Sequence, residues 1–344
     1  MPQRQPLVSV CLPTINRAEM LKEALSSVLA QTFQDFELIV SDNASSDGTP
    51  DLVASIKDTR IRYIRNDKNI GGSKNFNQCL GLARGAYISI FHDDDIMLPD
   101  NLFQKVSALD RNPSVGFLHS KFHIIDERGT IVEVNTNFGK KLEADHIESG
   151  HTFLSRSLLG SNLINASTVM MRREVYQKVG GFDARLGFTA DFEYWMRAAL
   201  YYDVFFLANP LMKYRTHFGA ATEQYLTRTP GSTMVNPSGV VDEFMAKRII
   251  LKRSKSQLQE WPRLRVEVQK WMREKLVGVI DTFYLQCGDR RGARKCLLYF
   301  FRKFPDLFLS TTVVPCLLKT ILGPRAISSL KRLTGNVQHA GKQS

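Results

Sequence analysis

Residues 86–95 read Ala-Tyr-Ile-Ser-Ile-Phe-His-Asp-Asp-Asp, an apolar run that ends in three consecutive carboxylates. Its β-branched and aromatic residues are typical of a buried strand. Three adjacent acidic side chains repel one another and resist removal from water, so a fold tolerates them where a cation lies among them. Carboxylates at a strand end suit a hard divalent cation, Mg²⁺ or Mn²⁺, which can in turn hold a diphosphate. Taken alone, the run also fits a solvated acidic turn before a helix.

The chain before this run alternates between strand and helix patterns. Apolar runs at 7–12, 36–40 and 61–64 predict three strands. Helical spacing follows the first strand, a helix start follows the turn at 47–50, and the glycines at 71–72 open a further helix. Four β–α units in succession predict an α/β fold with a mostly parallel sheet and helices on both of its faces.

Beyond the acidic run the pattern is less regular. A helix is predicted after Pro99, and the segment 225–237, rich in Thr, Pro, Gly and Ser, is predicted to be a flexible loop or linker. Short apolar stretches predict further strands at 115–119, 122–125, 130–134, 162–171, 204–207 and 212–215.

Polar side chains stand at the ends of three predicted strands. Pro13-Thr14 ends the first strand, Asp42 the second and Asp93–Asp95 the fourth. Because the carboxyl ends of parallel strands share one edge of a sheet, we expect these residues to form one acidic pocket. Its carboxylates and hydroxyl suit the base, the ribose and the metal of a nucleoside diphosphate. The chain has neither G-x-x-x-x-G-K-[ST] nor G-x-G-x-x-G after its first strand, which argues against P-loop and dinucleotide folds.

Six stretches in order resemble the family 2 glycosyltransferases of the GT-A fold. One such stretch is a weak signal, whereas six in order are specific. They lie within residues 7–220 and comprise Val8–Arg17, Phe36–Thr49, Asn69–Asn75, Gly85–Asp95, Val179–Asp183 and Asp191–Arg197. The resemblance implies an enzyme of polysaccharide biosynthesis. Such an enzyme moves a sugar, with inversion, from a nucleotide-diphospho-sugar to a hydroxyl of a glycan or lipid-linked saccharide.

The resemblance also implies a donor-binding set. Asp42 lies where the family contacts the base, and Pro13 and Thr14 line the same part of the pocket. Asp93 would bind the ribose, with Asp94 beside it in the donor site. Two Asp are common where this chain has Ser41-Asp42, so base recognition is expected to differ in detail.

The metal and the general base are implied in the same way. Asp95 would ligate Mg²⁺ or Mn²⁺, and His217 lies in a late segment whose histidine can reach the metal or the diphosphate. Asp191 falls where the family places its catalytic base. The family often has Glu-Asp there, whereas this chain has Ala190-Asp191, so one carboxylate of that pair is absent.

Each of these residues has a structural alternative. Asp42 can cap the turn that follows it, Asp191 can cap a helix, and His217 can be a packed, hydrogen-bonded side chain. Glu193 and Arg197 stand at i,i+4 and fit an ordinary helix pair. The remaining cations near strand ends or helix starts are interpreted as solvated surface residues: Arg17, Arg65 and Lys74.

Positive charge is concentrated in the last third of the chain. The net charge is +12, yet residues 246–344 carry 21 Lys+Arg and 6 Asp+Glu, a net of +15. Together with the apolar stretch 307–323, which is short for a bilayer span, this predicts interfacial helices that face an anionic membrane. The alternative is a helical subdomain packed on the catalytic body. No nucleic-acid-binding motif accompanies the charge, so nucleic acid is not an expected partner.

Three regions are therefore predicted: a GT-A catalytic domain at 1–225, a linker or loop at 226–240, and a basic helical region at 241–344. The five cysteines show no metal-ligand spacing, and the N-terminus has no secretory apolar region. We expect a cytoplasmic protein that is peripheral on the cytoplasmic face of the membrane. The functional alternatives are a nucleotidyltransferase on a related scaffold and an inactive module that binds sugar nucleotides or membrane.

Overall fold

The structure is a computed structural model, and it describes residues 5–135, 143–220, 222–229, 232–281, 290–308 and 313. Its strands are β1 Val8–Thr14, β2 Phe36–Asp42, β3 Ile61–Arg65, β4 Tyr87–Ile90, β5 Ile96–Met97, β6 Val115–Ile125, β7 Ile131–Asn135, β8 His146–Glu148, β9 Met170–Arg172, β10 Asp203–Arg215, β11 Leu226–Thr229 and β12 Ser232–Val235. Its α-helices are α1 Ala18–Leu29, α2 Thr49–Ser55, α3 Gly72–Leu82, α4 Asn101–Arg111, α5 Gly150–Leu159, α6 Arg173–Val179, α7 Ala190–Ala198, α8 Pro237–Ser254, α9 Trp261–Asp281 and α10 Arg290–Lys303.

The contacts divide the chain into two compact units. The first comprises Met1–Glu223 and Ala246–Leu258, and the second comprises Gln224–Met245 and Gln259–Ser344. The domain boundaries inferred from the sequence, at 225 and 240, stay a prediction.

The first unit is built on one sheet with the strand order β3-β2-β1-β4-β9-β6-β10-β5, to which β7 and β8 add at β6 and β10. Strands β3, β2, β1 and β4 pair in parallel through the β–α units predicted for them. Strand β9 lies antiparallel between β4 and β6, and β6 pairs in parallel with β10. The six strands β1, β2, β3, β4, β6 and β10 therefore run in one direction, and β5, β7, β8 and β9 run opposite to them. The sheet is thus mixed, with its parallel part at β3-β2-β1-β4 and β6-β10.

The core of this unit is apolar on the side of α1. The helix places Leu21, Ala24, Leu25 and Val28 at helical spacing, and all four are fully buried against the sheet. Gly85 marks the closest approach of the chain at the start of β4. A Cβ atom there would lie 2.6 Å from the backbone nitrogen of Ser9, so only glycine fits.

Several local predictions differ from the structure. The stretches 115–119 and 122–125 form one strand, β6, and 204–207 and 212–215 form one strand, β10, with bulges. The stretch 162–171 is strand only from Met170, because the Asn165 side chain accepts from the backbone N–H of Ser167 and holds a 3-10 turn at Ala166–Thr168.

The segment 226–240, predicted to be a linker or loop, contains regular structure. It holds the antiparallel pair β11–β12 and the start of α8. The sequence has Pro-Gly at 230–231 between Leu-Thr-Arg-Thr and Ser-Thr-Met-Val, a pattern that favours a hairpin as well as a loop. The apolar stretch 307–323 lies largely outside the described residues.

Candidate functional site

The carboxyl ends of three neighbouring strands carry the predicted pocket residues. Thr14 and Asp42 are register partners at the ends of β1 and β2. Pro13, one residue earlier, is half-buried opposite Ser41. The acidic segment Asp93–Asp95 follows β4, which pairs with the other side of β1. The parallel order β2-β1-β4 thus brings all of these residues to one edge of the sheet, as predicted.

Asp93 and Asp94 share one arginine. Thr14 Oγ1 donates to Asp93 Oδ2 at 2.7 Å, and Arg17 Nη1 lies 2.9 Å from Asp93 Oδ1 and 2.8 Å from Asp94 Oδ2. Burial and the neighbouring charge of Asp94 raise the pKa of Asp93, against the opposing effect of Arg17. Burial would also raise the pKa of Asp94, but the hydrogen bond from His217 and the nearby cations outweigh it, so that pKa is lowered. Arg17 thus offsets part of the repulsion between the two carboxylates.

Asp95 is fully buried and only partly satisfied. Its Oδ1 accepts from the backbone N–H of Arg215 at 3.0 Å. Within the described part of the chain its Oδ2 has no partner at hydrogen-bond distance; His92 Nδ1 lies 3.8 Å away, and the Ser167 side chain is also close to this carboxylate. Burial raises the pKa of Asp95. A buried carboxylate oxygen without a donor is costly, which makes it a strong candidate for a cation ligand.

His92, Asp94 and Asp95 form the candidate metal group. Each offers one ligand atom, and these atoms lie within 4.8 Å of one another. Two carboxylates and an imidazole suit Mn²⁺, and the carboxylates alone suit Mg²⁺. His92 was not among the predicted ligands, although it directly precedes the acidic segment in the sequence. Its ring also packs edge-on against Phe76 at 5.4 Å.

Arg215 fastens the acidic segment to the rest of the unit. Its side chain is almost fully buried, and its Nε donates to the backbone carbonyl of Asp94 at 2.9 Å. Its Nη1 donates to the carbonyl of Glu127 at 2.8 Å, and its Nη2 lies 2.6 Å from Glu23 Oε2 on α1. One guanidinium therefore joins three segments that are far apart in the sequence.

Asp42 is held within the fold. Its Oδ1 accepts from the backbone N–H of Ser45 at 2.8 Å. This is the turn-capping hydrogen bond expected from the sequence as the structural alternative for Asp42. Its Oδ2 accepts from the Tyr63 hydroxyl at 2.6 Å and lies 3.5 Å from Arg65 Nε. Arg65, interpreted from the sequence as a solvated cation, is half-exposed and faces this carboxylate. The base-binding role of Asp42 stays a prediction.

Asp191 lies in the first turn of α7, and the N-cap residue of this helix is Thr189. Its Oδ1 accepts from the backbone N–H of Phe192 at 2.7 Å, and its Oδ2 accepts from Asn162 Nδ2 at 3.1 Å. Burial raises the pKa of Asp191 to about 6, although these hydrogen bonds and the charge of His92 oppose the shift. A carboxyl group that titrates near neutral pH is suited to proton transfer.

Glu193 and Arg197 on the same helix form the ordinary pair expected from their spacing. The two side chains are buried with Arg197 Nη2 2.8 Å from Glu193 Oε2. Arg197 also donates to the backbone carbonyls of Val179 and Gly181. The pair therefore ties α7 to the preceding turn and does not take part in the pocket.

His217 lies against the acidic segment. Its Nε2 is 3.1 Å from Asp94 Oδ2. It lines a cleft of about 570 Å³ together with Asn16, Arg17, Asp47 and Gly219, a size in the range of small-molecule sites. The predicted metal-ligand role of His217 stays a prediction, because the candidate metal group comprises His92 rather than His217.

Three residues of the site were not predicted from the sequence: Arg17, His92 and Arg215. Arg17 also donates to the backbone carbonyl of Gly219 at 2.7 Å, across 202 positions of the chain. The available signal was their position beside the predicted strand ends. A basic residue that lies next to a predicted acidic pocket in the sequence indicates a site residue better than a basic residue elsewhere in the chain.

Comparisons with known proteins identify the family. The family model of glycosyl transferase family 2 matches residues 9–180, half of the chain. A Mycobacterium tuberculosis relative, uncharacterized protein MT1568, is 34% identical over 226 residues, which cover 64% of this chain and 69% of the relative. The uncharacterized glycosyltransferase MJ1057 of Methanocaldococcus jannaschii is 30% identical over 216 residues, which cover 61% of this chain and 71% of the relative.

Solved structures share the fold. TarS of S. aureus, residues 1–349 in complex with UDP-GlcNAc, has a TM-score of 0.63 at 18% identity and covers 86% of this chain and 81% of its own. The mannosyltransferase PcManGT of Pyrobaculum calidifontis, in complex with GDP-Man and Mn²⁺, has a TM-score of 0.51 at 16% identity, covering 93% of this chain and 88% of its own. The predicted GT-A type α/β fold and the predicted glycosyltransferase class are confirmed. The chain belongs to glycosyl transferase family 2.

Proposed function

We propose that the protein transfers a sugar, with inversion, from a nucleotide-diphospho-sugar to a hydroxyl of a saccharide or lipid-linked acceptor. The proposal is carried by two kinds of carboxylate in the first unit: the clustered acidic segment and a single carboxyl group whose pKa is raised towards neutrality. Asp93–Asp95 cluster at one sheet edge, and the nearby Asp191, which feels the charge of His92, has a pKa of about 6. A site that stabilises a leaving diphosphate beside a neutral-range base suits glycosyl transfer.

The donor would occupy the strand ends and the adjoining cleft. Thr14 and Asp93 offer a hydroxyl and a carboxylate to ribose, and Asp42 and Pro13 lie on the side assigned to the base. Arg17 places a cation beside Asp94. A guanidinium group there would attract the negatively charged diphosphate of the donor. The UDP-GlcNAc of the TarS complex and the GDP-Man of the PcManGT complex support a donor of this class.

A divalent cation, Mg²⁺ or Mn²⁺, fits this group of residues. Asp95 has a buried oxygen without a hydrogen-bond donor in the described part of the chain, and Asp94 and His92 place ligand atoms near it. Asp95 would hold the ion with these two residues, and His217 lies within hydrogen-bond distance of Asp94. When bound, the ion would supply positive charge to the leaving diphosphate. The Mn²⁺ of the PcManGT complex supports this proposal.

Asp191 is proposed to be the general base. The acceptor oxygen forms a bond to the anomeric carbon as the bond from that carbon to the diphosphate oxygen breaks. The acceptor hydroxyl gives its proton to the Asp191 carboxylate, and the nucleoside diphosphate leaves with the bonding electron pair. Attack from the face opposite the leaving group inverts the anomeric configuration through an oxocarbenium-like transition state.

The compartment is part of the proposal. Buried free thiols at Cys11, Cys79 and Cys296 support the cytoplasmic location inferred from the sequence. Among the described residues, no helix combines the length and the apolar character that crossing a bilayer requires.

The test is turnover of a panel of nucleotide-sugars, beginning with UDP-GlcNAc and GDP-Man, with Mn²⁺ or with EDTA. Hydrolysis without acceptor should release a nucleoside diphosphate and free sugar, faster with Mn²⁺, and NMR of the transfer product should show the inverted anomer. Release of pyrophosphate would indicate a nucleotidyltransferase instead. A product with the donor's own anomeric configuration would contradict the proposed mechanism.

A further inference from the structure

Helix α10 in the second unit has two different faces. Ala293, Cys296, Leu297 and Phe300 recur at helical spacing and are buried. The opposite side is exposed, and it carries large apolar side chains. Leu298 is 59% exposed and Phe301 is 51% exposed. Single exposed apolar side chains are ordinary on a protein surface, whereas neighbouring ones are typical of an interaction surface.

The same exposed side is basic. At 3.6 residues per turn, Arg291, Lys295 and Arg302 lie within about one third of the helix circumference with Leu298 and Phe301. We call these five residues the apolar–basic face. The whole helix has six Lys+Arg and no Asp or Glu. No internal ion pair within the helix can neutralise this face.

Helix α9, in the same unit, shows the contrast. Two of its exposed cations form ion pairs along the helix, with Arg263 Nε 2.8 Å from Glu267 and Lys270 Nζ 3.9 Å from Glu274, and the guanidinium of Arg265 lies over the Trp261 ring at 5.4 Å. Such i,i+4 pairs are typical of a face that remains in water. Helix α10 has the opposite design, because its charge is of one sign and is interleaved with apolar side chains.

We propose that the apolar–basic face of α10 binds the surface of a bilayer that carries anionic headgroups. The arginines and lysine would pair with lipid phosphates while Leu298 and Phe301 enter the boundary with the acyl chains. The helix has 14 residues and is about 21 Å long, too short to span the hydrocarbon core, so it would lie along the interface.

The fold holds Phe301 in place for this contact. Its ring packs edge-on against Phe308 at 5.3 Å, and Phe308 is buried in the 3-10 turn Pro305–Phe308. The buried side of α10 is fixed by Phe300, whose ring lies 5.5 Å from that of Phe244. The face is therefore presented by a packed helix, which reduces the entropy lost on binding. This inference does not rest on the proposed sugar transfer.

The test is sedimentation of the full chain with vesicles of phosphatidylcholine, with or without phosphatidylglycerol. Wild-type protein should pellet with the anionic vesicles only. Leu298→Ser with Phe301→Ser should lower the partition coefficient by roughly 10²-fold, since each side chain contributes about tenfold on burial. Arg291→Gln with Arg302→Gln should lower it about fivefold for each cation removed.

The matched control is Val266→Ser with Phe103→Ser. It removes one aliphatic and one aromatic side chain of similar exposure from α9 and α4, and it should bind as wild type does. Melting curves by circular dichroism establish that every variant folds. In addition, brominated lipids in anionic vesicles should quench the tryptophan fluorescence of the Phe301→Trp variant.

Three results would overturn the inference. One is a wild-type chain that stays in the supernatant with anionic vesicles. Another is a serine variant that binds as its control does while the glutamine variant loses binding, because this would indicate purely electrostatic attraction, as to a nucleic acid. Absence of quenching in F301W would likewise contradict insertion of the face.

Discussion

Replacement of Arg215 by methionine should weaken both the fold and the response to metal. The methionine fills similar volume but makes none of the bonds of the guanidinium to Asp94, Glu127 and Glu23. The backbone N–H of residue 215 can still donate to Asp95 Oδ1. The variant therefore keeps one attachment of the acidic segment and removes the other.

The magnitude follows from how buried each bond is. The bond to the Asp94 carbonyl is buried and the bond to the Glu127 carbonyl is partly buried. Both are charge-assisted, and such a bond is worth about 1.5–3 kcal/mol. The bond to Glu23 contributes little, because the Glu23 side chain is 55% exposed. Loss of a buried charge returns part of its desolvation cost. We expect a net decrease of about 2–4 kcal/mol in the free energy of unfolding.

The assays are urea unfolding and the Mn²⁺ concentration for half-maximal turnover, which should rise in Arg215→Met. The matched control is Arg172→Met on β9. Arg172 also donates to backbone carbonyls, to Val115 at 2.9 Å and to Leu109 at 2.7 Å, and neither lies in the acidic segment. The control should lose comparable stability with an unchanged Mn²⁺ response. If both variants shift the Mn²⁺ response equally, or neither loses stability, the reasoning about Arg215 is refuted.

Three further predictions concern single side chains. Asp95→Asn should lower turnover by roughly 10²-fold or more at any Mn²⁺ concentration, because it removes a charged ligand; wild-type turnover of this variant in EDTA would exclude the metal role. Turnover of the wild type should fall about tenfold per pH unit below the Asp191 pKa of about 6 and level off above it, because the protonated carboxyl cannot accept a proton; a flat profile through that range would argue against Asp191 as base. Lys105 is fully buried, has no hydrogen-bond partner among the described residues, and has a pKa lowered by burial to about 7. The unfolded chain keeps that proton up to about pH 10, so Lys105→Met should raise the free energy of unfolding at pH 7, by up to about 4 kcal/mol. Urea unfolding with no gain would show that the amine is solvated.

The early strands could be predicted because their signal is local. The apolar runs that became β1, β2 and β3 are separated by helical spacing, and parallel order then follows from the β–α–β connections. The position of the acidic segment at the same edge as Thr14 and Asp42 required only that order. The place of β9, antiparallel between β4 and β6, has no such local signal, because it depends on pairing between distant segments.

The two missed arginines share a physical reason. Arg215 meets the Asp94 carbonyl across 121 positions, and Arg17 meets Asp93 across 76. No spacing rule connects residues so far apart, and the default for an arginine near a loop is a solvated side chain. Only the packed fold shows that buried carboxylates hold Arg17 and that backbone carbonyls hold Arg215 beside the acidic segment.

Asp191→Asn tests the central proposal most directly. Asparagine can still accept from the backbone N–H of Phe192, so the helix start is kept, but it cannot take up a proton. Donor binding by calorimetry and the rate of transfer are measured on the same protein. Asn162→Ser, which removes one hydrogen bond to Asp191 and keeps the carboxylate, is the control. We predict nearly unchanged donor affinity and a turnover lower by roughly 10²–10⁴-fold in Asp191→Asn alone. Near-normal turnover would assign Asp191 to the structure of α7 and contradict the proposed mechanism.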